Sequence, residues 1–279
     1  MKSILVATDF SDAAKNATDY AAQLSKITGS TLVIFNTWAL PPLTEGAVVV
    51  PTIMTDIEKA KDDAMLEETE RIEKMWDVRA SASHTMGFAT EEIAYAAKLH
   101  GAAIVVVGMR QHNKIGKILG SVSTQLVHLN KFPVLVIPEK TGFHQPKTLL
   151  FATNLHTEQD WHEVDALKEL AKKLHSGLHI LNVREKEKVH TADESHAGIR
   201  LESRLKDISH SWHFPEDGDI VHAISKVSDE IGADWLVLIP HHLPWIQQLF
   251  HQSVTNKVAF VATKPLLALP ERKVRVDIK

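Results

Sequence analysis

The feature that most restricts the fold is an internal repeat, in which segments of the first half of the chain recur in the same order in the second half. Such a repeat indicates two copies of one folding unit, and a length of 279 residues suits two domains of about 140 residues each. The aligned pairs of segments are 2–9 with 147–154, 32–36 with 178–182, 101–104 with 232–235, 121–123 with 253–255, and 133–139 with 265–271.

Domain boundaries follow from the repeat. The segment 141–146, which contains Gly142 and Pro146, predicts a linker. We therefore expect one domain at 1–140, a second at 147–272 and a tail at 273–279.

Each copy alternates short apolar strands with helices. In the first copy we predict strands at 4–7, 31–37, 78–83, 104–107 and 134–137. Ser11 and Thr90 are candidate N-caps of two helices, a charged helix covers 56–75, and Gly29 is a candidate C-cap. A β-α-β order requires right-handed crossovers and a parallel sheet. The predicted fold class is α/β, with two tandem open, mostly parallel five-stranded sheets, helices on both faces and a Rossmann-like topology.

A candidate phosphate site follows the strand at 104–107. Gly108 ends that strand, and Gly120-Ser121 opens the next helix. Backbone amides at a helix start favour bound anions, and glycine there allows close approach or positive φ. Neither a Walker loop nor Gly-x-Gly-x-x-Gly is present. Because two glycines in a strand–loop–helix also occur without any ligand, this pattern alone leaves phosphate binding open.

The chain resembles the universal stress protein family, as a tandem of two such domains with the adenine nucleotide alpha hydrolase-like fold. The resemblance rests on Thr8-Asp9-Phe10-Ser11 after the first strand and on the loop from Gly108 to Gly120-Ser121. In nucleotide-binding members this loop holds the ATP phosphates, and the aspartate lies near the ribose and adenine. The nucleotide-site residues implied are Ala7, Thr8, Asp9, Thr37, Val107, Gly108, Gln111, Gly120, Ser121, Val122 and Ser123.

The first copy departs from the family signature in two ways. Gln111 replaces the second glycine of Gly-x-x-Gly, and the spacer before Gly120 is one residue short. Arg110, Lys114 and Lys117 would offset phosphate charge. We expect ATP in this copy only.

The second copy departs further. Ile239, His242 and Gln252 stand where the three glycines belong, and Asn154 replaces the aspartate. These larger side chains predict a domain without nucleotide.

Histidines are concentrated in the second copy, where thirteen of the seventeen lie beyond Gly142. His241, His242 and His251 share one loop and form the best candidate trio for a metal. His210 and His213 are expected on a strand, where their spacing directs them to opposite faces. Scattered surface histidines remain the default interpretation, so no metal site is predicted.

Several classes of function are disfavoured. The net charge of −4 argues against nucleic acid as a partner, and the absence of cysteine excludes thiolate chemistry. No apolar run approaches a membrane span of about 20 residues. Asp9 interrupts the first apolar run, unlike a signal peptide, so a cytoplasmic protein is expected. No nucleophile motif is present. No enzyme is predicted, although slow ATP hydrolysis stays open without an identifiable base.

Three functions stay open from the sequence. These are a nucleotide-binding stress sensor, a ligand-free scaffold that acts through protein partners, and a histidine-based metal binder in the second domain. We expect the last strands, at 134–137 and 266–269, to pair antiparallel and form an intramolecular pseudo-dimer. The tail residues Val274, Val276 and Ile278 alternate at strand period and predict a further strand, within the chain or in a homodimer.

Overall fold

The computed structural model describes residues 3–40, 51–110, 121–155, 161–184, 192–240 and 263–271. The first half contains β1 (Ser3–Ala7), α1 (Asp12–Thr28), β2 (Thr31–Trp38), α2 (Pro51–Trp76), β3 (Ala80–Met86), α3 (Ala89–Leu99), β4 (Ala102–Met109), α4 (Ser121–Leu129) and β5 (Val134–Pro138). The second half contains β6 (Thr148–Ala152), α5 (His162–Leu174), β7 (Gly177–Leu181), α6 (Ala192–Leu205), β8 (His210–His213), α7 (Ile220–Glu230), β9 (Trp235–Leu238) and β10 (Leu266–Ala268).

The described strands form one ten-stranded sheet in the order β3-β2-β1-β4-β5-β10-β9-β6-β7-β8. The sheet is parallel within each half, and β5 pairs antiparallel with β10 in a register that places Leu135 opposite Leu267. The predicted pairing of the last strands is therefore confirmed. Each half contributes the five strands that were predicted, and the pairing satisfies the exposed edge of each half and joins the two sets into one continuous sheet.

Helix α1 shows how local sequence sets an element that later borders the candidate site. The Ser11 hydroxyl accepts a hydrogen bond from the Ala14 amide, and Gly29 takes a left-handed conformation with φ 63°. Both predicted caps of α1 are therefore confirmed. Thr18 and Thr28 lie on the buried face and donate their hydroxyls to carbonyls one turn back, which lets polar side chains enter the core.

Other boundaries differ from the sequence prediction. Strand β3 spans Ala80–Met86 instead of 78–83, because its register continues along β2 until Met86 lies opposite Trp38. Helix α2 begins at Pro51 rather than near residue 56. Thr90 does not cap α3. Its hydroxyl donates to the Gln125 side chain at 2.6 Å, and Phe88 occupies the N-cap position without a side-chain hydrogen bond.

Two apolar layers cover the sheet. One packs α1, α2, α5 and α6 against one face, and the other packs α3, α4 and α7 against the opposite face. The joint between the halves is also packed, since the Trp235 indole donates to the Tyr20 hydroxyl at 2.7 Å and both residues are buried. Within the described ranges, no helix has the length and hydropathy needed to cross a membrane.

Candidate functional site: a cleft at the ends of β1 and β4

A cleft opens at the carboxyl ends of β1 and β4. These strands are neighbours in the sheet, while the chain leaves β1 toward β2 on its other side, so the cleft lies at a switch point of the topology. Open α/β sheets bind ligands at this position. Its volume of about 360 Å³ falls in the range of small-molecule sites. The lining residues are Ala7, Thr8, Asp9, Ser11, Ala13, Ala14, Phe35, Thr37, Ala89, Ile93, Val107, Gly108, Arg110, Val122 and Ser123.

The structure gathers most of the residues that the sequence selected. Eight of them line the cleft: Ala7, Thr8, Asp9, Thr37, Val107, Gly108, Val122 and Ser123. Ser121 begins α4 beside them, but its side chain is not described. Gln111 and Gly120, with Lys114 and Lys117, lie outside the described residues. The sequence reasoning missed the apolar walls formed by Phe35, Ala89 and Ile93, because these residues carry no motif and are brought in by packing alone.

The turn between β1 and α1 holds the first polar group of the cleft in place. The Thr8 hydroxyl accepts a hydrogen bond from the Phe10 amide at 3.0 Å, and Phe10 has a φ of 62°. The Asn36 side chain donates to the Thr8 carbonyl at 2.6 Å. Positive φ is unfavourable for an aromatic residue, so these bonds hold a strained turn that directs Asp9 to the cleft.

The second half repeats this turn with the equivalent hydrogen bonds. The Leu155 amide donates to the Thr153 hydroxyl at 3.2 Å, and Leu155 has a φ of 53°. The Asn182 side chain donates to the Thr153 carbonyl at 3.1 Å. The two halves therefore share this hydrogen-bonded turn with a positive-φ residue as well as the order of their strands.

Asp9 and Arg110 form an ion pair at the mouth of the cleft. One Asp9 carboxylate oxygen accepts from the Ser11 amide at 3.0 Å and from the Ser11 hydroxyl at 2.5 Å, and the other lies 2.7 Å from Arg110 Nη2. Partial burial acts to raise the pKa of Asp9, but the Ser11 hydrogen bonds and the Arg110 charge outweigh it and leave the pKa below its ordinary value. Both side chains are more than half exposed, so a ligand can reach them.

Gly108 is needed for packing against α1. A Cβ built on Gly108 would lie 2.4 Å from the Ala13 carbonyl oxygen and 2.6 Å from its carbon. Gly108 is not among the described glycines with positive φ. The expectation of a positive φ at Gly108 is thus corrected, and the observed constraint is the close approach of the first turn of α1. The expected close approach of a ligand to Gly108 stays a prediction.

The corresponding positions of the second half carry different side chains. Ile239 replaces Gly108 and is buried, and α5 has 13 residues where α1 has 17. The side chain of Ile239 takes room that Gly108 leaves for the first turn of α1. By the alignment of the repeat, Ala89, Thr37 and Asp9 correspond to Ile220, Val183 and Asn154. The second half therefore lacks both the acidic group and the small residues of the first.

Whether the second half could hold a metal ion depends on how its histidines are placed. Among the residues that the structure describes, no group of three or more His, Asp or Glu side chains is placed to hold a metal ion. The candidate trio His241, His242 and His251 lies outside these residues. His210 contacts Glu202 at 3.0 Å, whereas His213 lies 2.9 Å from His179, so the expected divergence of the two histidines is confirmed.

Comparisons with known proteins agree with the topology. The family model described as the universal stress protein family matches residues 1–138. A universal stress protein from Archaeoglobus fulgidus shares the fold with a TM-score of 0.74 at 18% identity, over 96% of this chain and 98% of its own. A putative universal stress protein from Pseudomonas aeruginosa has a TM-score of 0.56 at 15% identity, over 96% and 93%.

A shorter relative matches half of the chain. A universal stress protein family protein from Arabidopsis thaliana, solved with AMP bound, covers 49% of this chain and 91% of its own at 18% identity, with a TM-score of 0.35. A search of curated proteins found no match. The family match identifies the first half of this protein, residues 1–138, as a member of the universal stress protein family, and the shared fold continues through the second half.

Proposed function

We propose that this protein is a nucleotide-binding regulator of the stress response that holds ATP in the cleft of its first half. The observation that carries the proposal is the juxtaposition of Asp9 and Arg110 at the mouth of a cleft with apolar walls. A nucleotide needs the same combination, with an apolar slot for the base and polar and cationic groups for the sugar and phosphates.

Each part of the cleft suits one part of the ligand. Phe35, Ile93 and Val107 provide apolar surface for a planar base. Asp9 is an ionised acceptor for sugar hydroxyls, because its pKa is lowered in the folded protein. Arg110 is the cation nearest to Asp9 in the described cleft. Its guanidinium can give up the ion pair with the Asp9 carboxylate and bind a phosphate oxygen instead. Ser123 and the amides at the start of α4 add donors for the same phosphates.

The proposal is one of binding rather than turnover. The hydroxyls that line the described cleft are those of Thr8, Ser11, Thr37 and Ser123, and no histidine lines it. The Ser11 hydroxyl already donates a hydrogen bond to Asp9 and accepts one from the Ala14 amide as the N-cap of α1. The cleft therefore offers groups that hold a nucleotide and no general base with an evident role. A cytoplasmic location suits a sensor of ATP.

Two alternatives predict different contents of the purified protein. A ligand-free scaffold would carry no nucleotide, and a histidine-based metal binder in the second half would carry metal. Mass spectrometry of nucleotide released from freshly purified full-length protein, with metal analysis of the same sample, separates these cases. Adenine nucleotide without bound metal supports the proposal. The proposal would be overturned if the purified protein carried metal, retained no nucleotide and bound none when ATP was added.

A further inference from the structure

Helix α3 exposes three large apolar side chains on its outer surface. Phe88 is 80% exposed, Tyr95 is 65% exposed and Leu99 is 66% exposed. Positions 88, 95 and 99 follow one another at helical spacing, so they form a single stripe, which we call the α3 stripe. The buried face of the helix, with Ile93, Ala96 and Ala97, is a separate surface that already packs on the sheet. The helix is thus apolar on two sides.

The second half shows that the fold does not require the α3 stripe. In the repeat, Tyr95 and Leu99 correspond to Lys226 and Glu230 of α7, which form an ion pair at 3.9 Å. The buried position is unchanged, because Ile93 corresponds to Ile224. Since the repeat keeps the core residue and replaces the outer ones with charge, the stripe serves something outside the core.

Phe88 adds a second departure from the repeat. Its counterpart Asp219 caps α7 by accepting hydrogen bonds from the Val221 and His222 amides at 3.1 and 3.3 Å. Phe88 makes no side-chain cap. The loss of a cap destabilises the helix start, and a side chain that is 80% exposed contributes little to the stability of the fold. A docked partner would bury the ring and offset this loss.

A groove beside the α3 stripe supplies charges of opposite sign at its two ends. The groove lies between α3 and α4, has a volume of about 790 Å³ and contains Tyr95, Leu129 and Phe132. Glu91 lies in the first turn of α3 and Lys98 in its last turn, and Lys131 also lines the groove. Within the described residues, neither Glu91 nor Lys98 forms an ion pair. The surface therefore presents an acidic end, an apolar centre and a basic end.

We propose that the α3 stripe is a dimer interface, on which a second copy of this chain docks antiparallel about a twofold axis. A twofold contact places each surface against itself, so an acidic end must meet a basic end. An antiparallel pair brings Glu91 of one copy to Lys98 of the other and sets Tyr95 near the axis. A helix of 11 residues spans about 16 Å, so the contact is at the small end of specific interfaces and the dimer is weak.

Sedimentation velocity of the full chain over a range of concentrations tests this dimer. A monomer–dimer equilibrium with a Kd of about micromolar order is expected for the parent. The double variant Tyr95→Lys with Leu99→Glu, which copies α7, should raise the Kd about tenfold or more without lowering the melting temperature. Ile199→Lys on α6 is the matched control, because Ile199 is also 66% exposed and lies outside the stripe.

A charge exchange separates a second copy from any other partner. Lys98→Glu alone and Glu91→Lys alone should each weaken the dimer, because each places like charges together. The double variant should restore it, since the exchanged charges meet again only across a twofold contact. A parent that stays monomeric at all concentrations would overturn the proposal, as would a dimer that survives the α7-copy variant. The proposal would also be contradicted if the double variant dimerised more weakly than both single variants.

Discussion

The Trp235 indole donates a hydrogen bond of 2.7 Å to the hydroxyl of Tyr20, which lies 215 positions earlier in the chain. Both residues are almost fully buried, and Phe143 of the linker packs edge-on against Tyr20 with ring centroids 4.8 Å apart. Burial raises the pKa of the Tyr20 hydroxyl far above its usual value, so it remains protonated at physiological pH. One polar contact inside the apolar layer therefore connects the two halves.

Replacing Trp235 with Phe should lower the free energy of unfolding by about 2–4 kcal/mol, because it leaves the Tyr20 hydroxyl without its donor and removes buried ring volume. Chemical denaturation followed by circular dichroism measures the change. Trp212→Phe is the control, since its indole donates to Glu202 at an exposed site. If the hydrogen bond matters, Tyr20→Phe combined with Trp235→Phe should cost less than the sum of the single changes. An additive double variant would speak against the contact.

Gly108→Ala should destabilise the first half by about 1–3 kcal/mol, since the added methyl meets the Ala13 backbone and α1 must shift. The same shift moves Ser11 and Asp9, so affinity for ATP should fall as well. Gly142→Ala is the matched control, because a Cβ at Gly142 meets nothing within 4 Å. Thermal melts and ATP titrations of the two variants check both effects. Equal melting temperatures for the two variants would contradict the packing argument.

Arg110→Gln should weaken ATP binding about tenfold or more while it leaves adenosine binding nearly unchanged, because the guanidinium is proposed to contact phosphate rather than base or sugar. Titration of each ligand by calorimetry gives the two affinities. Arg79→Gln provides a control for loss of one positive charge away from the cleft. Equal losses for ATP and adenosine would exclude a role specific to phosphate.

Asp234 should make stability depend on pH through the start of β6. Its carboxylate accepts hydrogen bonds from the Lys147 and Thr148 amides at 2.6 and 2.9 Å. Burial acts to raise the pKa of Asp234, but these bonds and His144 outweigh it and leave the pKa below its ordinary value. A carboxyl with a lowered folded pKa contributes stability above its unfolded pKa and loses it as pH falls through the folded value.

Asp234→Asn should therefore lower the melting temperature near neutral pH, and the difference from the parent should shrink as the pH falls below the ordinary pKa of an aspartate and through the lowered folded value. Melting curves of both proteins over this range provide the measurement. A difference that stays constant down to the most acidic pH would show that the charge of Asp234 is not involved.

Local signals in the sequence were sufficient for much of the fold. Ser11 and Gly29 were predictable as caps because their chemistry acts within one turn of α1. The β5–β10 pairing followed from the repeat and from the need to satisfy two strand edges. Thr90 was predicted wrongly, because its hydroxyl binds Gln125 on another helix, and a contact between helices leaves no mark in the local sequence.

The candidate site was predictable in outline and less so in detail. The residues after β1 and β4 were expected together, because carboxyl ends of parallel strands share one edge of the sheet. Positive φ at Phe10 was not foreseen, since an aromatic residue disfavours it and the turn is held by hydrogen bonds of the Thr8 hydroxyl and the Asn36 side chain. The Tyr20–Trp235 contact likewise joins residues from different elements of different halves, which no local pattern encodes.

Whether ATP binds in the cleft of the first half is tested by calorimetric titration of ATP into the full chain and into a triple variant, Asp9→Asn, Thr37→Val and Ala89→Ile. These changes copy the second half into the first, so the helices and strands are expected to tolerate them. One nucleotide per chain is expected for the parent and no measurable binding for the variant, with little change in melting temperature. Two equal sites in the parent, no binding by the parent, or unchanged affinity in the variant would contradict this expectation.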